Sequence, residues 1–395
     1  YSNKGESHKN SIQKLVSKHG IGGLIFFQGG PVRQARLTNH YQSKAKVPLM
    51  IAMDAEWGLD MRLDSTIGYP RQMALGAIKN NEAIYEMGAA LAEQCRRLGV
   101  HVNFAPVIDV NNNPKNPVIN SRSFGENKVL VAEKGIAYMK GMQDNLVLAC
   151  GKHFPGHGDT DADSHKSLPV ISHDLKRLEE LEMYPFRELI DAGLGSMMVA
   201  HLFVPALDNT PNVATTLSSK VVTDLLKNEL QFKGLIFTDA LNMKGVSSYF
   251  EPGEVDVRAL LAGNDVLLFA EDVPKAISKI KEAIVSGKIS EEEISKRCAK
   301  ILKAKYWLQL NKMEPIEMVN LYEDLNSSAM QLSNRKVVEK SLTLIQNQNN
   351  LLPFQQLDSM KLVTIAIGGM ASLDEKNTFQ KTIDLFAPAK HFGIS

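Results

Sequence analysis

The 395-residue sequence has few cysteines and no apolar run that approaches a membrane-spanning length. Its three cysteines, Cys95, Cys150 and Cys298, are too few and too widely spaced for a disulfide framework or a zinc site. A transmembrane helix needs about 20 consecutive apolar residues, so we expect no membrane span in this chain. The sequence also lacks an excess of basic residues, because 45 Lys and Arg stand against 44 Asp and Glu. Nucleic acid is therefore not an expected partner.

Short apolar runs recur along the first 270 residues, and each is bounded by glycine, proline or polar residues. The runs are GGLIFF (22–27), VPLMIAM (47–53), VHVNFAPVIDV (100–110), NLVLACGKHF (145–154), GSMMVAHL (195–202), GLIFTD (234–239) and NDVLLFA (264–270). Most are continuously apolar, which is typical of parallel strands covered on both faces. Helix-like stretches such as 81–99 and 174–193 separate them. This alternation predicts a (β/α)8 TIM-type barrel over residues 1–310 rather than an open doubly wound sheet.

The seven runs are one fewer than such a barrel needs, and we expect the missing first strand to precede residue 22. After the barrel, residues 311–335 are polar and predict a linker. A new βαβ-like pattern then begins, with the apolar runs 342–354 and 361–369. About 60 residues cannot bury much core alone, so 336–395 is predicted to be the beginning of a second, truncated or incomplete α/β domain.

Polar residues stand at the ends of five of the predicted strands. In a barrel of this type the chemistry lies at the carboxyl ends of the strands. Five strands with the same feature indicate the rim of an active site. The residues concerned are Asp54, Asp109, Lys152, His153, His201 and Asp239.

The 14-residue stretch KHFPGHGDTDADSH (152–165) raises the possibility of a metal site. His153 and His157 have the spacing of a helical zinc pair, but Pro155 and Gly156 between them oppose a helix. The alternating aspartates 159, 161 and 163 imitate half of a calcium loop, yet the sixth and twelfth positions lack the required Gly and Glu. A metal is therefore not the favoured interpretation of this stretch.

Two other interpretations of the stretch remain open. A solvated loop would explain Asp159 and Asp161, since aspartate and glycine form turns readily. It explains less well why about 20 residues leave the barrel directly after a strand, because loops of that length are usually functional. A proton-transfer loop is the alternative: a histidine held by a carboxylate two residues away, as in Asp163 and His165, titrates near neutral pH.

The motifs KHFPGHG…DSH (152–165) and FTDALNM (237–243) resemble those of the glycoside hydrolase family 3 β-N-acetylglucosaminidases. The resemblance extends from about residue 20 to 310, and LTLIQNQNNLLPF (342–354) resembles the start of that family's second domain. It implies a retaining exo-enzyme in which Asp239 is the nucleophile. It also implies that His165 is the general acid/base, with Asp163 as its partner.

The same resemblance implies a set of sugar-binding residues. Some of these residues lie in the segment DAEWGLDMR (54–62), where this sequence departs from the family pattern. Trp57 stands where the family has a glycine, and Leu59 stands where it has an arginine. The implied sugar-binding residues are Asp54, Arg62, Arg122, Lys152 and His153.

The expected partner is a carbohydrate with a terminal β-linked N-acetylglucosamine, from a muropeptide, a chitooligosaccharide or a glycan. No metal and no cofactor are expected. The polar start YSNKGESHKN has no initiator methionine and no signal-like apolar core, which we interpret as a cut. On that interpretation a bacterial, extracytoplasmic location is favoured over a cytoplasmic one.

Three alternatives remain. A family-3 β-glucosidase or xylosidase would take its acid/base from the second domain, which the DSH motif argues against. A glycoside phosphorylase is possible because a histidine repels phosphate less than a carboxylate does. A non-catalytic sugar-binding barrel would carry these residues without turnover.

Overall fold

The computed structural model describes residues 1–162, 168–368 and 376–394. The chain divides into two compact units, Tyr1–Leu342 and Thr343–Ser395. Among the described residues, no helix combines the length and the apolar character needed to cross a membrane.

The first unit is built on a parallel sheet whose strands follow each other in chain order, each hydrogen-bonded to the next. The register pairs Gly23 with Met50 and Ser196 with Leu235. The strands are β1 (Gly23–Phe26), β2 (Met50–Met53), β3 (Val102–Asn103), β4 (Leu148–Phe154), β5 (Ser196–Val199) and β6 (Leu235–Thr238).

The sheet is curled, with one apolar layer inside and another outside. Successive side chains of a strand point to opposite faces. In β2, accordingly, Met50 and Ala52 belong to the inner cluster, while Ile51 and Met53 belong to the outer one. The rings of Phe104, next to β3, and Phe237, in β6, meet across the interior with their centroids 5.3 Å apart.

The predicted seventh run lies beside β6, where Val266 forms a bridge with Phe237. Its end reaches the end of β1, because the Phe27 and Phe269 rings are 5.3 Å apart. The predicted TIM-type fold is thus confirmed as a curled parallel sheet. Residues 1–22 contain helix α1 and no strand.

Helices cover the outside of the sheet. Asn127 caps helix α5 (Lys128–Gln143) by accepting hydrogen bonds from the amides of Val129 and Leu130. Glycines let α4 (Glu82–Arg97) and α5 approach closely, since a Cβ on Gly141 would lie 2.2 Å from the carbonyl oxygen of Tyr85. The α-helices of the first unit are α1 (Glu6–His19), α2 (Pro31–Gln42), α3 (Gln72–Gly76), α4 (Glu82–Arg97), α5 (Lys128–Gln143), α6 (Leu175–Arg177), α7 (Tyr184–Asp191), α8 (Lys244–Ser247), α9 (Glu254–Ala262), α10 (Val273–Val285), α11 (Glu291–Trp307), α12 (Leu321–Leu325) and α13 (Ser328–Ser341). Two π-helical segments, Leu178–Glu182 and Lys220–Glu229, complete this layer.

The second unit contains a short βαβ motif. Strands β7 (Leu362–Ile367) and β8 (Ala389–Ile394) are parallel, and helix α14 (Thr378–Ile383) lies between them in the sequence. That this unit begins a second family-3 domain stays a prediction. Helices α12 and α13 belong to the first unit, and Gln94 of α4 donates a hydrogen bond of 2.7 Å to the carbonyl oxygen of Leu325.

Candidate active site

A cavity of about 470 Å³ opens at the carboxyl ends of the barrel strands. Asp54 directly follows β2, Lys152 and His153 belong to β4, and Asp239 directly follows β6. Because the strands are parallel, these side chains reach the same end of the barrel. The polar residues that line the cavity are Asp54, Glu56, Arg62, Arg122, Lys152, His153, His157, Asp239 and Asn242.

Lys152 is the centre of a buried charge network on one wall. Its ammonium Nζ lies 2.9 Å from Oδ1 of Asp54 and 2.8 Å from Oε1 of Glu56. Burial acts to lower the pKa of Lys152, but the two carboxylates outweigh it and raise the pKa above its usual value. Lys152 is therefore a fixed cation in the wall of the cavity.

Two arginines complete the pairing of these carboxylates. Arg62 Nη2 donates to Oδ2 of Asp54 at 2.6 Å, and Arg122 binds both oxygens of Glu56 at 2.8 and 2.9 Å. Burial would raise the pKa of each carboxyl, yet the neighbouring cations lower it below its usual value. Both carboxylates are therefore ionised, and Arg62 reaches Asp54 despite the altered motif around Trp57.

His153 is oriented by a second buried carboxylate, Asp109. Nδ1 of His153 lies 2.8 Å from Oδ2 of Asp109, which also accepts from the His153 backbone amide. Nε2 lies 3.4 Å from Nη2 of Arg122. A carboxylate only accepts and a guanidinium only donates, so Nδ1 carries the proton and Nε2 is the acceptor.

Asp239 is a half-buried carboxylate that directly follows β6. Its Oδ1 accepts a hydrogen bond of 2.7 Å from the backbone amide of Ala240. Burial acts to raise its pKa, but the positive charges of His201 and Lys152 and the hydrogen bond from the amide of Ala240 lower it below the usual value of an aspartate. An ionised oxygen is thus available in the cavity across the physiological pH range.

Asp109 holds the glycine-rich segment after β4 in place through a hydrogen bond, and a side-chain contact within the segment adds to it. The backbone amide of His157 donates to Oδ1 of Asp109 at 2.6 Å, and His157 Nδ1 lies 2.7 Å from Oγ1 of Thr160. Burial lowers the pKa of His157 to about 4, so its imidazole is neutral at neutral pH. Farther along, Asp159 is hydrogen-bonded to His173.

The structure brings six of the eight sequence-predicted site residues together around one cavity. The other two, Asp163 and His165, lie outside the described residues. Those around the cavity are Asp54, Arg62, Arg122, Lys152, His153 and Asp239.

Two residues of this network, Glu56 and Asp109, were absent from the predicted site. Asp109 stood among the strand-end polar residues, and its position inside the apolar run FAPVIDV was the available signal. Glu56 had no comparable signal from strand position. It lies two residues beyond Asp54, and Gly58 with φ 101° turns the chain just after it.

One cluster among the described residues has the composition of a metal site. Ligand atoms of Asp159, His173 and Glu182 lie within 4.8 Å of one another. However, Asp159 is hydrogen-bonded to His173, and Oε1 of Glu182 lies 3.3 Å from both Nε and Nη2 of Arg177. Each carboxylate therefore already has a partner, and the nearby guanidinium opposes a second cation.

Known proteins resemble this chain in sequence and in fold. The model of the glycosyl hydrolase family 3 N-terminal domain matches residues 4–304. The β-hexosaminidase A of Pseudoalteromonas piscicida is 36% identical over an alignment 326 residues long, which covers 74% of this chain and 54% of that protein. A β-N-acetylglucosaminidase/β-glucosidase of Cellulomonas fimi is 27% identical over an alignment 341 residues long, which covers 84% of this chain and 60% of that protein.

A solved family-3 β-N-acetylglucosaminidase from Paenibacillus sp. str. FPU-7 has a TM-score of 0.82 and 32% identity. The alignment covers 97% of this chain and 76% of that one. The present chain spans little more than half the length of the two curated relatives. Since the family model accounts for most of its residues, the chain belongs to glycosyl hydrolase family 3.

Proposed function

We propose that this chain contains the catalytic barrel of a retaining exo-β-N-acetylglucosaminidase. The observation that carries the proposal is an ionised carboxylate, Asp239, in the same cavity as the buried Asp54–Lys152–Glu56 network. The names of the relatives, β-hexosaminidase and β-N-acetylglucosaminidase, support N-acetylglucosamine as the sugar. The substrate is then a terminal β-linked residue of a muropeptide, chitooligosaccharide or glycan.

The charged wall would bind the hydroxyl groups of the sugar. Each oxygen of Asp54 has accepted one hydrogen bond, from Lys152 or Arg62, and keeps a lone pair for a sugar hydroxyl. Lys152 has three N–H groups, and its two carboxylate partners leave one for a hydroxyl oxygen. Hydrogen bonds to ionised groups are stronger than neutral ones, which favours hydroxyl-rich ligands here.

In the first chemical step, an oxygen of Asp239 attacks the anomeric carbon and forms a glycosyl ester. The bond to the leaving oxygen breaks, and that oxygen takes a proton from His165. In the second step, His165 accepts a proton from water, the water oxygen attacks the anomeric carbon, and the Asp239 carboxylate leaves. Asp163 would hold the imidazole of His165 and stabilise its charged form.

The test is product analysis with aryl β-N-acetylglucosaminide and aryl β-glucoside, each with and without phosphate. We expect faster cleavage of the N-acetylglucosaminide, with the β-anomer of the free sugar as the first product seen by proton NMR. Equal or reversed rates would reject the sugar assignment. A sugar 1-phosphate would reveal a phosphorylase, and absence of turnover would leave a binding barrel.

A further inference from the structure

We propose that His201 is a positioning residue that carries a proton on both ring nitrogens and holds the turn that orients Asp239. This inference rests on the proposed function for its catalytic consequence, but its structural part can be measured without substrate. His201 lies just beyond the end of β5 and is completely buried. It approaches the site from the neighbouring strand rather than from the motif that contains Asp239.

The first ring nitrogen of His201 donates to a threonine. Nδ1 lies 2.7 Å from Oγ1 of Thr216, and that oxygen lies 2.5 Å from the carbonyl oxygen of Ala200. A carbonyl oxygen only accepts, so the single hydroxyl proton of Thr216 is directed to Ala200. The hydroxyl oxygen must then accept from His201, which places a proton on Nδ1.

The second ring nitrogen also faces an acceptor. Nε2 of His201 lies 3.0 Å from the carbonyl oxygen of Ala240. Two acceptors at this distance would repel each other, and a proton on Nε2 turns the contact into a hydrogen bond. With both nitrogens protonated, the ring is an imidazolium. A buried cation needs compensation, which the ionised Asp239 offers.

Ala240 connects this ring to Asp239. The carbonyl oxygen of Ala240 accepts from His201, and its amide donates to Oδ1 of Asp239 at 2.7 Å. His201 therefore fixes the residue whose N–H group sets the direction of the carboxylate. Among the described residues, the ammonium group of Lys152 also lowers the pKa of Asp239.

This arrangement has a consequence for both chemical steps. A cation close to Asp239 keeps the carboxylate ionised before the attack, and it stabilises the same carboxylate when it leaves in the second step. Loss of the charge should therefore slow deglycosylation, and loss of the hydrogen bond to Ala240 should slow glycosylation because the carboxylate is no longer held in one orientation. A residue that only filled space would leave the pH profile unchanged.

The experiment begins with the wild-type protein labelled with ¹⁵N-histidine, with His201→Gln to assign the resonances. At pH 8 we expect the two ring nitrogens of His201 to show the chemical shifts of an imidazolium. One protonated and one unprotonated nitrogen would overturn the proposal. This result does not depend on the sugar or on any activity, so it separates failure of this inference from failure of the proposed function.

A matched pair of variants tests the catalytic part. Thr216→Val removes the acceptor of His201 Nδ1, whereas Thr215→Val removes the other hydroxyl that donates to Ala200, at 2.6 Å, without touching the ring. We expect Thr216→Val to lower kcat/KM about 10- to 100-fold and to move its acidic limb to higher pH. Thr215→Val should keep the wild-type profile. Equal profiles for the two variants would contradict a positioning role for His201.

Discussion

Lys152 and Glu56 form an ion pair with 2.8 Å between Nζ and Oε1, and their side chains are only 2% and 1% exposed. Charges so deeply buried are costly unless every partner is in place. Here Arg122 binds the same carboxylate from the other side, so the pair belongs to a larger network that also includes Asp54. The network fixes the positions of the groups that would contact the sugar.

Replacing Glu56 with Gln should destabilise the protein because it leaves Lys152 and Arg122 with one carboxylate fewer. Removing one partner of a buried pair costs about 3–5 kcal/mol of unfolding free energy. We expect a loss near the lower value, since the amide keeps part of the hydrogen bonding, together with a rise in KM. Denaturant unfolding and steady-state kinetics measure the two effects.

Glu254→Gln is the control for that variant. Glu254 pairs with Arg258 at 2.7 Å, but both side chains are exposed, and such a pair is worth about 0.3–0.5 kcal/mol. If Glu56→Gln were as harmless as Glu254→Gln, the buried network would have no structural importance.

Replacing Asp239 with Ala should abolish cleavage of every substrate, because no oxygen remains to attack the anomeric carbon. Azide should restore activity by taking the place of the carboxylate, and the product should be the α-glycosyl azide. Mass spectrometry and NMR of the product make the measurement. Asp224→Ala, at an exposed position, should behave as the wild type. A β-configured azide would contradict the proposed nucleophile.

The sequence predicted the part of the site that depends on strand position. Asp54, Lys152 and Asp239 each stand at the end of an apolar run, and parallel strands bring such residues to one edge. Glu56 was not predicted because its role depends on Arg122, which is 66 residues away in the sequence. Such long-range pairs leave no periodic signal in a single sequence.

The boundary after the barrel was difficult for a related reason. The polar stretch 311–335 resembles a linker by composition, yet α12 and α13 belong to the first unit. Their anchors are distant along the chain: Arg97 of α4 binds Asp324 at 2.8 Å and the carbonyl oxygens of Glu317 and Val319. Composition alone does not reveal such tertiary contacts.

The stability of the protein should fall in mild acid because of His157. Burial lowers the pKa of His157 to about 4, whereas a histidine of the unfolded chain titrates near 6.5. Between these values the unfolded state binds a proton that the folded state does not, so the unfolding free energy decreases as the pH falls. The full contribution is about 3 kcal/mol. Urea unfolding at several pH values measures this slope.

His157→Gln should reduce that slope between pH 6.5 and 4 without removing it, because burial also lowers the pKa of His101 to about 4. Exposed His19→Gln should leave the slope as in the wild type. An identical slope in both variants would mean that another group controls the acid sensitivity.

Chelators should leave activity unchanged. The Asp159, His173 and Glu182 side chains have the composition of a metal site, but His173 and Arg177 already pair with the two carboxylates. We therefore expect the same rate for enzyme dialysed against EDTA and for untreated enzyme. Loss of activity that zinc or calcium restored would require a metal in this loop after all.

The proton-transfer role proposed for Asp163 and His165 predicts a dependence on the leaving group. General acid catalysis contributes about 10²–10⁴ in rate, but only when the departing oxygen needs a proton. Replacing His165 or Asp163 with Ala should therefore slow cleavage of a sugar leaving group severely. Formation of the glycosyl-enzyme from a highly acidic phenol should be affected much less. Pre-steady-state bursts with a series of aryl glycosides measure this difference.

The two residues should also act as one unit, because in the proposed mechanism Asp163 would only hold His165 and stabilise its charged form. The double variant should then be little worse than the poorer single variant, since the second substitution removes nothing that still functions. Overall turnover should fall even for the acidic phenol, as hydrolysis of the intermediate needs the same imidazole as a base. If the two losses multiplied, or if the phenol and sugar substrates suffered equally in the first step, the acid/base would have to be another residue.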